Sequence, residues 1–155
     1  MSLTQGAGRL ALAAALGCVI GLERTLRGKY AGLRTHALVS LGAALLTFTA
    51  SDLVAGQHYD TTSVARVVQG LITGIGFLGA GVILHDRRNH VRGLTTAAAI
   101  WLDAAIGAAC GAGEGAIGVV AMLFSLALLA ASPLERAVRR RFPPREGDEG
   151  SEDEG

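Results

Sequence analysis

The sequence predicts an all-α fold, a polytopic membrane helix bundle of about five transmembrane helices. Three observations predict it. Half of the 155 residues are hydrophobic and the charges cluster between long apolar runs, the signature of a multi-span membrane chain. Residues 70–83 read GLITGIGFLGAGVI, and no charge interrupts the stretch from Val67 to Leu84. Such a glycine density costs about 1 kcal/mol per Gly relative to Ala in a water-exposed helix. In a bilayer, where the backbone must satisfy itself, small residues instead let helices approach closely. Finally, the connecting loops alternate in charge along the chain.

Five apolar segments define the spans: 7–22, 36–55, 64–84, 94–112 and 115–132. Each approaches the roughly 20 residues needed to cross about 30 Å of hydrocarbon. The first is the shortest unless it reaches back to Leu3, which sets Arg9 near an interface where its stem can snorkel. The last two are separated only by Ala112 to Glu114, which demands a tight hairpin. The N-terminus has no basic region followed by a small-residue cleavage site, so the first segment is expected to be retained.

Arg24, Arg27, Lys29 and Arg34 fall in the first loop, Arg87, Arg88 and Arg92 in the third, and Arg136, Arg139, Arg140, Arg141 and Arg145 in the tail. Asp52, Asp60 and Glu114 lie on the opposite side. The positive-inside rule then puts the N-terminus outside and the C-terminus in the cytoplasm, the parity that five spans require. These basic groups also suit anionic lipid headgroups. Residues 1–134 form the membrane domain. Residues 135–155 form a basic, then acidic tail with nothing apolar to bury near its end, and disorder is expected there.

Gly32-Leu33-Arg34-Thr35 and Gly93-Leu94-Thr95-Thr96 each follow a basic loop and open a span. They suggest two parallel copies of one hairpin, related by an axis along the membrane normal, with chance similarity as the alternative. Thr35 and Thr95 are placed to cap these helices.

Asp103 is the sharpest single residue. It lies about ten residues into the fourth span, where a carboxylate costs several kcal/mol on insertion scales and so should face the bundle interior with a partner. Ala99, Asp103, Gly107 and Gly111 recur every four residues on one small-residue face. The functional reading is an ion or proton site; the alternative is a hydrogen-bonded structural carboxyl. Arg66 and Gln69 on the third span are the candidate partners, although Arg66 differs from Asp103 in depth by roughly 10 Å at 1.5 Å per residue. Thr95 joins this candidate intramembrane set. Glu23, Arg24, Arg34 and His36 meet through one short loop and form a candidate cytoplasmic-interface cluster, or a solvated group of charges. Gly70, Gly74, Gly81, Gly107 and Gly111 are the candidate helix-packing positions, within one chain or in a homodimer.

His85, Asp86 and His90 do not suit magnesium, which prefers oxygen ligands, and they lack the fourth ligand of a closed zinc site; a polar turn is expected, with no metal and no cofactor. Cys18 and Cys110 sit in apolar segments and read as buried thiols. No nucleophile–base pair, phosphate-binding loop, dinucleotide fingerprint or nucleic-acid fold is visible. An enzyme is not expected.

The segments GLERTLRGKYAGLRTHALVSLGAALLT (21–47), RVVQGLITGIGFLGAGVIL (66–84) and VRGLTTAAAIWLDAAIGAACGAG (91–113) resemble the bacterial MgtC/SapB membrane family. The resemblance covers roughly residues 8–132. It implies a small multi-span inner-membrane protein tied to growth in low magnesium, to virulence and survival inside macrophages, and, in some members, to inhibition of the F-type ATP synthase, which is the membrane-protein partner that the resemblance implies. An ion homeostasis role is thereby implied, with transport through Asp103 as the alternative. Longer members carry a cytoplasmic C-terminal domain where this sequence ends in an acidic tail, a short form of the family. Some members carry Asn at the position of Thr95 and Cys at that of Leu102, positions that matter to the virulence-associated activity; Thr95 keeps a polar group and Leu102 keeps no thiol.

Overall fold

The computed structural model describes residues 2–55, 61–85, 91–131 and 141. Five helices run in order: α1 (Leu3–Leu26), α2 (Leu33–Ala55), α3 (Thr61–Val82), α4 (Leu94–Ala112) and α5 (Gly115–Ala130). The fold is an all-α bundle, and α1 to α4 are each long and apolar enough to cross a membrane, whereas the described α5 is a shorter apolar helix. A two-residue antiparallel ladder, β1 (Leu84–His85) with β2 (Val91–Arg92), closes the turn between α3 and α4. The polar turn expected at Asp86 and His90 and the tail expected to be disordered lie outside the described residues, Arg141 excepted.

The first span does reach back to Leu3. Ser2 caps α1 with a reciprocal Ser2–Gln5 capping box, which satisfies two of the amides left open at a helix start. At the other end Thr25 joins α1 to α2: its Oγ1 donates to the Gly21 carbonyl and accepts from the Leu33 amide, both at 2.9 Å. That bond starts α2 three residues earlier than the apolar run begins. Thr35 therefore lies inside α2 rather than at its cap, because Thr25 of the preceding helix does the capping. α4 is capped by Gly93, at φ 92°, with no side-chain hydrogen bond. Thr95 consequently lies within the first turn, not at the cap.

Helix α4 is central and packs against the other four helices; α2 packs against α1, α3 and α4. One apolar cluster joins α1, α2, α4 and α5 through Leu16, Ile20, Ala44, Ile106 and Met122. A second joins α2, α3 and α4 through Ala43, Ile75, Ile100 and Ala104. The small residues decide how close these helices come. A Cβ on Gly17 would sit 2.7 Å from the His36 carbonyl oxygen, one on Gly107 would strike that of Ser40, and one on Gly111 that of Ala44. The backbones of α1 and α4 thus lie almost directly on α2.

Those contacts also fix a register. His36, Ser40 and Ala44 of α2 stand level with Asp103, Gly107 and Gly111 of α4. The two helices are parallel, as their charge-flanked starts predict. They are not level at their starts, however. Leu33 aligns with Ile100, so residues 94–99 project past the start of α2 by about 9 Å at 1.5 Å per residue. The Gly32 and Gly93 motifs are offset by this step.

Helix α3 is the outlier. Half of the hydrophobic window of α4 is buried but only 6% of that of α3. Gly79 faces Ala97, while Gly70, Gly74 and Gly81 have open space around them. Phe77 is 82% exposed, as suits a lipid-facing side chain in a multi-pass membrane protein.

Candidate functional site

Asp103 is the tenth residue of α4 and is 0% exposed. The stripe of Ala99, Gly107 and Gly111 that flanks it, all buried, lets α2 approach closely enough for contact. What it meets is His36, also 0% exposed: His36 Nδ1 lies 3.2 Å from Asp103 Oδ2. One nitrogen and one oxygen of this pair are left over. His36 Nε2, Asp103 Oδ1 and the nearby Ser40 Oγ are buried with no hydrogen-bond partner in the protein. Buried polar atoms without partners are uncommon and call for a reason. Three of them, two in the hydrogen-bonded couple itself and one a turn away, make this the chemically unusual point of the bundle.

The partners expected for Asp103 are corrected here. Arg66 and Gln69 are exposed on α3, the helix least embedded in the bundle, and Asp103 turns to α2 instead. The physical reason is the deeper start of α2, which carries His36 from the interface to the level of Asp103. Thr95 is exposed, two turns from Asp103, while its neighbour Thr96 is buried on the Asp103 side of α4.

The expected four-residue cytoplasmic cluster divides for the same reason. Glu23 and Arg24 do sit together, with Arg24 Nη1 3.4 Å from Glu23 Oε2, and Glu23 Oε1 pairs with Arg27 Nε at 2.6 Å. Arg34 is exposed on α2. His36 belongs to Asp103. Arg24 itself is only 2% exposed, and its Nε has no hydrogen-bond partner in the protein.

Two arginines tie α1 down. Arg27 Nη1 donates to the Leu129 carbonyl at 3.0 Å. Arg9 Nη1 donates to the Gly111 carbonyl at 3.0 Å, at the C-terminal end of α4, and its guanidinium lies 6.0 Å from the Phe48 ring centroid. A cation at a helix C-terminus satisfies an orphan carbonyl and the helix dipole together. Arg9→Ala is therefore expected to cost about 1 kcal/mol, read as a lowered midpoint of thermal unfolding in detergent. An unchanged midpoint would show that Arg9 merely snorkels.

Among the described residues no three His, Cys, Asp or Glu side chains gather as a metal site. Cys18 and Cys110 are free, and Cys110 is buried, with a Cβ on Gly118 of α5 reaching within 2.9 Å of its Sγ. Sequence reasoning missed Ser40, Gly17 and Gly21. The repeat of His36, Ser40 and Ala44 at helical spacing was the available signal, since it runs a small and polar stripe down an otherwise apolar helix.

The MgtC family profile matches residues 10–137, which takes in the glycine-packed core and the His36–Asp103 pair. The chain belongs to the MgtC family. Relatives agree. Protein MgtC of Brucella abortus is 47% identical over 127 residues, covering 81% of this chain and 50% of that protein. Protein SrpB of Synechococcus elongatus is 41% identical over 129 residues, covering 78% of this chain and 71% of that protein. The putative magnesium transporter YhiD of Escherichia coli K12 is 42% identical over 125 residues, covering 78% of this chain and 57% of that protein. The MgtC-family chain thus spans between half and about seven-tenths of the length of these relatives. No solved structure matches it.

Proposed function

We propose that this MgtC-family chain is a non-enzymatic inner-membrane protein of ion homeostasis that supports adaptation to magnesium limitation through contacts with membrane proteins. In this reading the basic loops face the cytoplasm, the N-terminus lies outside and the C-terminus inside. One observation carries it against simple conduction: the His36–Asp103 pair is closed off. Both residues are 0% exposed, and Ile100 and Ile106, one turn to either side along α4, are 1% exposed each. A permeation pathway at that depth needs a polar opening.

Helix α3 supports the contact half of the reading. A Cβ added to Gly70, Gly74 or Gly81 would meet no atom of another element within 4 Å among the described residues, and small residues admit a second helix at short range. The occupant proposed for that face is the α3 of a second copy, giving a homodimer.

The transporter reading keeps one observation in its favour, the buried ionisable pair with its unpartnered atoms. An intramembrane carboxylate marks an ion or proton route in many pumps and transporters. Cation and proton flux in proteoliposomes separates the two. The expected result is no flux above empty vesicles for folded wild-type protein. Flux that Asp103→Asn abolishes, at matched incorporation, would overturn the proposal and place Asp103 on a pathway.

A further inference from the structure

The step between α2 and α4 leaves a cleft at the basic end of the bundle. The first turns of α4 project beyond the start of α2, and the turn after α1 cannot fill the space they border. The cleft is about 500 Å³ in volume, and Arg24, Lys29, Arg92, Thr95 and Thr96 are among the residues that line it. Among the described residues that line it, Arg24, Lys29 and Arg92 are cationic and none is a carboxylate. Glu23, the nearest acid to Arg24 in sequence, points its oxygens at Arg24 and Arg27.

Two independent features point inward. The cap of α4 is Gly93, which offers no side-chain acceptor, so the amides of the first turn keep the positive end of the helix dipole open to an anion. Gly93 cannot be exchanged for a capping residue, because at φ 92° its would-be Cβ runs into the Val82 carbonyl oxygen. Arg24, also in the lining, is 2% exposed, and its buried Nε has no hydrogen-bond partner among the described residues. A guanidinium held out of water with an unused donor is costly unless something accepts from it. Its planar fork matches the paired oxygens of a phosphate, and the hydroxyls of Thr95 and Thr96, in the first turn of α4, add donors to the lining.

We infer that this cleft binds a phosphate group, with Arg24 and the first turn of α4 in its lining and Lys29 at its rim. The cleft exceeds one phosphate in size, so it holds either free phosphate or the headgroup phosphate of an anionic lipid. The inference stands apart from the question of ion conduction, since it concerns the end of the bundle and not its centre.

The test uses the full chain in nanodiscs. In the first arm, phosphatidylcholine discs are titrated with inorganic phosphate against chloride at matched ionic strength, with the thermal unfolding midpoint as readout. In the second arm, phosphatidylglycerol is mixed with phosphatidylcholine in phosphate-free buffer, and native mass spectrometry counts the lipid retained. A response in the first arm identifies free phosphate as the occupant; preferential retention in the second identifies the lipid headgroup. Binding in either arm should weaken about tenfold in Arg24→Gln, which loses a charge-assisted contact. It should weaken about threefold in Lys29→Gln, at an exposed position where the fold is not at stake. Should Arg24→Gln fail to fold, Lys29→Gln decides alone. No response in either arm, or binding that the folded variants leave unchanged, overturns the inference.

Discussion

Asp103→Ala is expected to lower the unfolding free energy by about 3–5 kcal/mol, the usual penalty for removing one partner of a buried pair. Its removal strands His36, whose Nδ1 is held only by Asp103 Oδ2 at 3.2 Å and whose Nε2 has no other acceptor or donor in the protein. A cavity next to Ser40 adds to the loss. The double replacement His36→Leu with Asp103→Leu should cost less than the two single changes summed, because no polar group is left alone and apolar side chains refill the space. Equilibrium unfolding in mixed micelles measures all three variants. Strictly additive losses would mean that the two side chains do not stabilise one another, and the site as described would fall. The same measurement bears on function, since an energetically coupled but closed pair is a structural element first, whichever ion the cell is adapting to.

Gly107→Val is the second large effect. It should cost roughly 3 kcal/mol or more, or prevent recovery of folded protein. The would-be Cβ meets backbone rather than a flexible side chain: the carbonyl oxygen, carbonyl carbon and Cα of Ser40. Backbone cannot rotate away, so α2 and α4 must separate, and with them His36 and Asp103. Gly70→Ala and Gly74→Ala offer the contrast. Both sites have open space around them, and each substitution should change the stability of the monomeric bundle by no more than about 0.5 kcal/mol. If Gly107→Val unfolds like wild type, the close α2–α4 contact is absent. If Gly70→Ala destabilises the chain as severely as Gly107→Val in monomeric protein, the exposed placement of α3 is overturned.

These two sets of glycines show where the sequence was legible. A glycine pattern states that something comes close, but not what. In GLITGIGFLGAGVI five of the fourteen residues are glycine, and yet Gly70, Gly74 and Gly81 meet nothing within the described chain. Gly17, Gly107 and Gly111 are the ones that lie against the backbone of α2. Period and composition cannot distinguish a face turned to a neighbour of the same chain from one turned to lipid or to another copy, because both environments are apolar.

Composition and pattern establish that the chain is a multi-span α-helical membrane protein, where its helices run to within a few residues, that the second and fourth helices run in parallel, and that Asp103 must be inward and partnered. Each of these follows from local rules: span length, charge alternation and the cost of a carboxylate in hydrocarbon. The identity of that partner, His36, emerges from the packing of α2 on α4. The local pattern puts His36 at an interface, because the apolar run begins there, and offers Arg66 and Gln69 of the third span as partners for Asp103, although Arg66 lies at a different depth. The axial offset between α2 and α4 reassigned all three. That offset comes from Gly107 and Gly111 seating α2 against α4 at the level of Ser40 and Ala44. It depends on contacts between residues dozens of positions apart, and no local pattern encodes it. The same offset opens the basic cleft beside Arg24, for which the sequence supplied the charges and the tertiary structure supplied the space.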